Sequence, residues 1–121
     1  MVDMLPKLFF VHFRDTSFVA ERDGELAGFL VGFLSQSEPD AAYVHFVGVS
    51  PAERGTGLGR ELYERFFDQA RGEGRTRVSC VTSTANTRSV AFHTAMGFEP
   101  SEPQPGYDGP GEDRIVLTRA L

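Results

Sequence analysis

Apolar and polar positions along this chain fall into short runs with strand periodicity and one longer run with helix periodicity. Phe18 to Arg22 and Leu26 to Leu34 are β-prone, mostly apolar runs on either side of Asp23-Gly24. That dipeptide accepts the positive dihedrals of a tight hairpin turn, so the two runs are predicted to pair antiparallel. In the second run Leu26, Leu30 and Leu34 share one parity, and Phe29, Val31 and Phe33 share the other. Both faces call for burial, which puts this strand inside a sheet. Pro39-Asp40 breaks the chain, and Tyr43 to Val49 forms a third extended run ending at Ser50-Pro51.

Past a glycine-rich loop the period changes. Leu58, Leu62, Phe66 and Ala70 recur every four residues, Tyr63 and Phe67 widen the stripe, and Arg60, Glu61, Glu64, Arg65 and Asp68 lie opposite. This pattern predicts an amphipathic helix that stops at Gly72-Glu73-Gly74, where glycine can take a left-handed cap. Val78 to Val81 reads as the next strand, Ser89 to Met96 as a short helix ended by Gly97, and Phe98 onward as another extended piece. Ser101 to Asp113, rich in Pro, Gly and acid, reads as a loop, and Ile115 to Leu117 as a closing strand. Strands on both sides of two helices describe an α/β or α+β layer in which helices cover a mixed sheet.

Composition narrows the function classes. A chain of 121 residues, 40% hydrophobic and 12% aromatic, suits a single domain over 1–121 with a small core. A formal charge of -5 argues against a nucleic-acid partner, which calls for a basic face. The charge is uneven, however. Arg54, Arg60, Arg65, Arg71, Arg75 and Arg77 outnumber Glu61, Glu64, Asp68 and Glu73 in one stretch, so a small polyanion is the natural partner there. The single cysteine, Cys80, allows no internal disulfide, reads as a buried strand residue and fits a reducing compartment. No signal peptide is visible and no run reaches the roughly 18 apolar residues of a membrane span. The expectation is a cytoplasmic protein with no membrane partner and no metal site.

Candidate chemistry begins with the loop. In Val47-Gly48-Val49-Ser50-Pro51-Ala52-Glu53-Arg54-Gly55-Thr56-Gly57-Leu58-Gly59-Arg60, alternating glycines join a strand to the first turn of a helix. The first N–H groups of a helix lack internal partners and the macrodipole is positive there, which makes the turn an anion site. Side-chain-free glycines let a phosphate reach the backbone, with Arg54 and Arg60 able to add charged hydrogen bonds. A Walker loop would need Gly-Lys followed by Ser or Thr, and a dinucleotide fingerprint Gly-x-Gly-x-x-Gly with an acid ending the next strand. Neither is present.

The loop instead matches Arg/Gln-x-x-Gly-x-Gly, and at this point the chain resembles the GCN5-related N-acetyltransferases. Asn86-Thr87-Arg88-Ser89-Val90-Ala91-Phe92-His93-Thr94-Ala95-Met96-Gly97-Phe98 looks like the family's second signature, an Asn opening a short helix that ends in Gly-Phe. The two stretches lie in the family's order and spacing. The resemblance implies a mixed, mostly antiparallel sheet flanked by helices, with the family's usual opening strand and two helices largely missing, since the hairpin is reached by Phe18. Met1 to Phe13 could supply part of a helix, and exposed apolar surface could be covered by a second subunit as a homodimer.

By the same resemblance the amides of Arg54, Gly55, Thr56, Gly57, Leu58, Gly59 and Arg60 would hold the pyrophosphate of acetyl-CoA. The backbone of Val47, Gly48 and Val49 would run beside the pantetheine in a V-shaped slot, with Asn86, Ser89 and Phe92 on the other wall. Transfer from a thioester to an amine needs an unprotonated amine, whose pKa is near 10, and a proton for the thiolate, whose pKa is about 8.5. Backbone N–H groups near Val49 could serve the oxyanion. His93 stands where the family pattern carries a proton-donating tyrosine, and it reads either as that donor or as a packing residue. His45 shares parity with Tyr43, Val47 and Val49, so it reads as a base on the slot side or as a core histidine, with Tyr43 orienting substrate. The acidic loop from Asp108 to Asp113 could attract a cationic amine. The implied activity is acetyl-CoA-dependent N-acetylation of an amine on a small molecule or peptide. The alternative is a non-catalytic acyl-CoA-binding or regulatory module.

Overall fold

The computed structural model describes residues 7–121. The strands are β1 (Phe18–Arg22), β2 (Glu25–Leu34), β3 (Ala41–Val49), β4 (Arg77–Ser83), β5 (Glu99–Pro100) and β6 (Arg114–Ala120). The helices are α1 (Lys7–His12), α2 (Leu58–Gly72) and α3 (Thr87–Ala95). The strands form one six-stranded sheet in the order β1-β2-β3-β4-β6-β5, antiparallel except between β3 and β4. Of the opening stretch expected to give part of a helix, Lys7–His12 is helical, and its first six residues lie outside the described residues.

The hairpin forms as its sequence requires, with φ of 55° at Asp23 and 80° at Gly24. β2 is buried on both faces, from Ala27 through Gly32. One face meets α2, whose Leu58, Leu62, Tyr63, Phe66, Phe67 and Ala70 are all buried. A helix of this length is marginal alone in water, while burying each large apolar side chain stabilises by about 1.5–3 kcal/mol, so packing rather than propensity holds it. The other face carries a smaller cluster of Phe9, Phe29 and Val31, with Phe10, Leu26 and Phe33 against it.

Strand limits differ from the apolar runs in one consistent way. β4 and β6 extend beyond Val78–Val81 and Ile115–Leu117 because they pair with each other from Arg77↔Ala120 to Ser83↔Arg114. Ladder bonds thereby carry flanking polar residues into the strands. The 101–113 segment is loop apart from an isolated bridge between Gln104 and Arg114. Three of its acids are engaged by the segment and its flank: Arg114 binds Asp108 at 2.9 Å and Glu112 at 2.8 Å, and Asp113 accepts from the Gly106 N–H. Among the described residues no helix is long and apolar enough to cross a membrane.

Candidate active site

β3 and β4 pair only over Ala41↔Arg77, Ala42↔Val78 and Tyr43↔Ser79, and then part. β3 stays with β2 as far as Val49, and β4 stays with β6 as far as Ser83. The cause of the parting lies in the β2–β3 register. Val31 faces Phe46 while Gly32 faces Val44, leaving His45 as an extra residue in β3. Such a bulge bends its strand and turns it away from the next one. A wedge opens as a result. Its apex is a pocket of about 140 Å³ bordered by Val44, Val47, Tyr63, Cys80, Ser89 and His93, and it continues into a groove of about 990 Å³ beneath the glycine loop.

The bulge overturns the shared parity expected for Tyr43, His45, Val47 and Val49. Tyr43 stacks on Phe33 at 5.2 Å and His45 on Phe9 at 5.1 Å, both on the α1 face. Val47 and Val49 pack instead against the cluster beneath α2. Period-two counting fails here because the extra residue resets the alternation. Tyr43 is only partly buried, yet burial, with Tyr107, Cys80 and Asp108 adding, pushes its pKa up to about 12. It stays a neutral phenol. His45 is exposed, and it borders the apex pocket.

Backbone groups line the slot. Ser50 N–H donates to Ala27 O at 2.8 Å. Alternation along an antiparallel strand then directs the N–H and C=O groups of Val47 and Val49 to the opposite edge, where β4 has departed. Gly48 faces the other way, and a Cβ there would meet the Phe29 ring at 2.7 Å.

The glycine loop presents its amides unequally. Arg54 N–H donates to Pro51 O and Thr56 N–H to Glu53 O, and Thr56 Oγ1 also donates to Glu53 O at 2.6 Å. Thr56 therefore braces the loop from behind and does not border the groove, contrary to the role expected for it. The N–H groups of Gly55, Gly57, Leu58, Gly59 and Arg60 have no hydrogen-bond partner among the described residues. Gly57 caps α2 with φ of 87° and offers no side-chain cap, which leaves these amides bare at the positive end of the helix. Arg54, Arg60 and Arg88 border the same groove, and the one acid there, Glu53, is engaged by Arg22 at 3.1 Å.

The facing wall is α3. Asn86 Oδ1 accepts the Ser89 N–H at 3.1 Å and caps the helix, which explains an Asn at its start. Asn86 and Ser89 border both cavities, and the Phe92 ring lies so close to Gly59 that a Cβ there would stand 3.0 Å from it. His93 is buried at the inner side of this helix. Its Nδ1 lies 2.7 Å from Ser89 O and its Nε2 lies 2.6 Å from Tyr63 Oη. A carbonyl only accepts, so Nδ1 carries the ring proton and Nε2 accepts the Tyr63 hydroxyl. Burial holds the His93 pKa below its ordinary value, only partly offset by the bond to Ser89, so the ring is neutral at pH 7. His93 thus has no N–H free to offer a leaving thiolate directly.

Tyr63, Cys80 and Arg88 are the groups that sequence reasoning left out of the site. Burial raises the Tyr63 pKa well above its ordinary value and the Cys80 pKa to about 12. A hydroxyl on an otherwise apolar stripe was the signal available for Tyr63, and a cation two residues after the capping Asn for Arg88.

Comparison with known proteins agrees with this geometry. The family model described as acetyltransferase (GNAT) family matches residues 3–98. The L-2,4-diaminobutyric acid acetyltransferase of Nocardia farcinica is 38% identical over 84 residues, which cover 69% of this chain and 44% of that protein. The chain spans less than half the length of such curated relatives. Among solved structures, Chaetomium thermophilum Naa20 in complex with a bisubstrate analogue superposes with a TM-score of 0.84 at 23% identity, covering 95% of this chain and 70% of that one. The acetyltransferase yncA from Salmonella typhimurium, solved with its cofactor acetyl-CoA, gives 0.72 at 26% identity, covering 87% and 64%. With a strand that splays beside its parallel neighbour, a helix headed by bare amides and a family model over most of its length, the chain belongs to the acetyltransferase (GNAT) family.

Proposed function

We propose that this chain is an N-acetyltransferase domain that moves the acetyl group of acetyl-CoA to a primary amine by direct attack. The observation that carries the reading is the pairing of two unsatisfied backbone surfaces across one groove: five bare amides at the head of α2 and the free edge of β3 at Val47 and Val49. The first suits a pyrophosphate and the second an amide-rich pantetheine arm. In this reading Gly55, Gly57, Leu58, Gly59 and Arg60 hold the pyrophosphate through their N–H groups, with Arg54 and Arg88 adding charge. Val49 N–H polarises the thioester carbonyl and then holds the oxyanion. Asn86, Ser89 and Phe92 form the opposite wall.

On the acceptor side, His45 at the rim would draw a proton from the incoming amine and Tyr43, held as a phenol, would orient it. His93 would handle the proton of the leaving thiolate. A diamine is the acceptor class suggested by relatives named as diaminobutyric acid acetyltransferases. The unpaired, buried Cys80 supports a reducing, cytoplasmic setting. Exposed Leu8, Val11 and Phe13 on and beside α1 support a second copy of the chain as the cover for that face.

The test is thermal stabilisation by acetyl-CoA, CoA and ATP, followed by CoA release with a panel of mono- and diamines. Stabilisation by both CoA species but not ATP, with release in the presence of an amine, is the expected result. No shift with either CoA species would sink the reading. A non-catalytic acyl-CoA-binding module has one observation in its favour, the engagement of both His93 ring nitrogens. A thermal shift with no CoA release from any amine would select it.

A further inference from the structure

We infer that Tyr63 and His93 act as one proton shuttle at the apex of the slot, with Tyr63 Oη as the atom that meets the reacting groups. The inference rests on the acetyl-transfer reading above and gives a task to a residue which that reading leaves idle. Both His93 nitrogens are engaged, Nδ1–H by Ser89 O and Nε2 by the Tyr63 hydroxyl. The atom of the pair with lone-pair capacity to spare is therefore Tyr63 Oη. Tyr63 borders the apex pocket together with Cys80, Asn86, Ser89 and His93.

The surroundings suit a shuttle that keeps its proton. Phe92 and Phe98 stand edge-on to the His93 ring at 5.3 Å and 5.2 Å, and Phe67 lies 5.7 Å from Tyr63. These rings exclude water from the pair. The titratable groups facing it are the two members themselves from α2 and α3, the Cys80 thiol from β4, and His45 and Tyr43 from β3. Arg60 is directed toward Ala95 O at 3.5 Å and Arg119 lies over the Phe67 ring at 4.3 Å. No carboxylate among the described residues pairs with His93, so an imidazolium formed there has reason to discharge again.

The proton balance closes. The amine nitrogen bonds to the thioester carbon, the carbonyl electrons move onto oxygen and the nitrogen becomes cationic. One of its protons passes to Tyr63 Oη as the original hydroxyl proton passes to His93 Nε2, while Nδ1–H stays on Ser89 O. The oxygen pair then re-forms the carbonyl, the C–S bond breaks and its electron pair leaves on sulfur. Tyr63 protonates that sulfur and takes its proton back from Nε2. The amine proton ends on the CoA thiol, the pair returns to its starting state, and tyrosinate never forms. That matters because burial makes Tyr63 a very weak acid.

The test compares wild type with Tyr63→Phe, and with His93→Gln, whose amide oxygen still accepts the Tyr63 hydroxyl but cannot take a proton. Each variant should lower kcat about 100-fold or more while leaving acetyl-CoA affinity within about twofold of wild type. In the wild-type pH profile the component of the acid-side fall that belongs to His93, with its midpoint below 6.5, should disappear in both variants, leaving the fall set by the amine and its base. A merely structural role would lower the melting temperature yet keep that component. If Tyr63→Phe does not fold, His93→Gln alone decides. A kcat within about threefold of wild type in the folded variants overturns the shuttle alone. Absence of CoA release from wild type with every amine overturns the acetyl-transfer reading and the shuttle with it.

Discussion

Gly32→Ala tests the geometry from which the slot originates. Gly32 sits in β2 opposite the bulge at His45, and a Cβ there would stand 2.6 Å from Phe66 Cε1 and 2.8 Å from Tyr43 O. The first contact is with a fully buried ring and the second with the backbone of β3, so neither yields freely. Overpacking of this kind costs about 1–3 kcal/mol. At about 3–5 °C per kcal/mol for a domain of this size, the melting temperature should fall by roughly 3–15 °C. The assay is a far-UV circular dichroism melt with urea denaturation at 25 °C. Phe66→Leu supplies the internal check. Shrinking the ring relieves the first contact but not the second, so the double variant should be more stable than the sum of single losses by about 1 kcal/mol. An unchanged melting temperature, or costs additive within about 0.5 kcal/mol, would refute the claim that α2 presses on the bulge at this point.

Three further outcomes follow from the site. Gly57→Ala forces an L-residue into the left-handed region, where φ is now 87°, at a strain of about 1–2 kcal/mol, so acetyl-CoA should bind about 5–30-fold more weakly by calorimetry. Wild-type affinity in that variant would remove the loop's preset shape from the account. Cys80, with its pKa pushed up to about 12 by burial, should be about one part in 10⁴ thiolate at pH 8 and resist iodoacetamide until the chain is denatured; rapid labelling of the folded protein would contradict its buried position. His93 has a folded pKa below 6.5, so its contribution to pH dependence is flat above that value, and stability declines as pH falls from about 6.5 through the folded pKa. The slope is at most about 1.4 kcal/mol per pH unit, and chemical denaturation of His93→Gln should show it removed.

Local patterns account for the parts of the fold that could be read from the chain. The stripe from Leu58 to Ala70 buries every residue it names because its period and the glycines just before and just after it are all local to one helix and its two ends. Asn86 caps α3 because an Asx side chain reaches an amide three residues on. The hairpin at Asp23-Gly24 is equally local. Parity along β3 could not be read in this way. The extra residue at His45 shows only in the pairing of β3 with β2, where Gly32 lies against Phe66 of α2, and nothing in Tyr43 to Val49 itself records that pairing.

The candidate site divides along the same line. Its anion-binding half is backbone presented by a short loop, so spacing alone pointed to it, and the structure refined it by committing Arg54 and Thr56 to the loop's own bonds. Its proton-handling half is a pair of side chains 30 residues apart on two different helices, and short-range periodicity assigned Tyr63 to the core because the stripe around it is apolar. The resemblance drew attention to His93 as the residue standing in a tyrosine's place. Tyr63 brings a phenol hydroxyl to within 2.6 Å of that imidazole. The chemistry that one phenol would supply is thereby distributed over two side chains. That distribution ties the acid and base steps of the proposed reaction to the packing of α2 against α3, so perturbing that packing should register in turnover before it registers in donor binding.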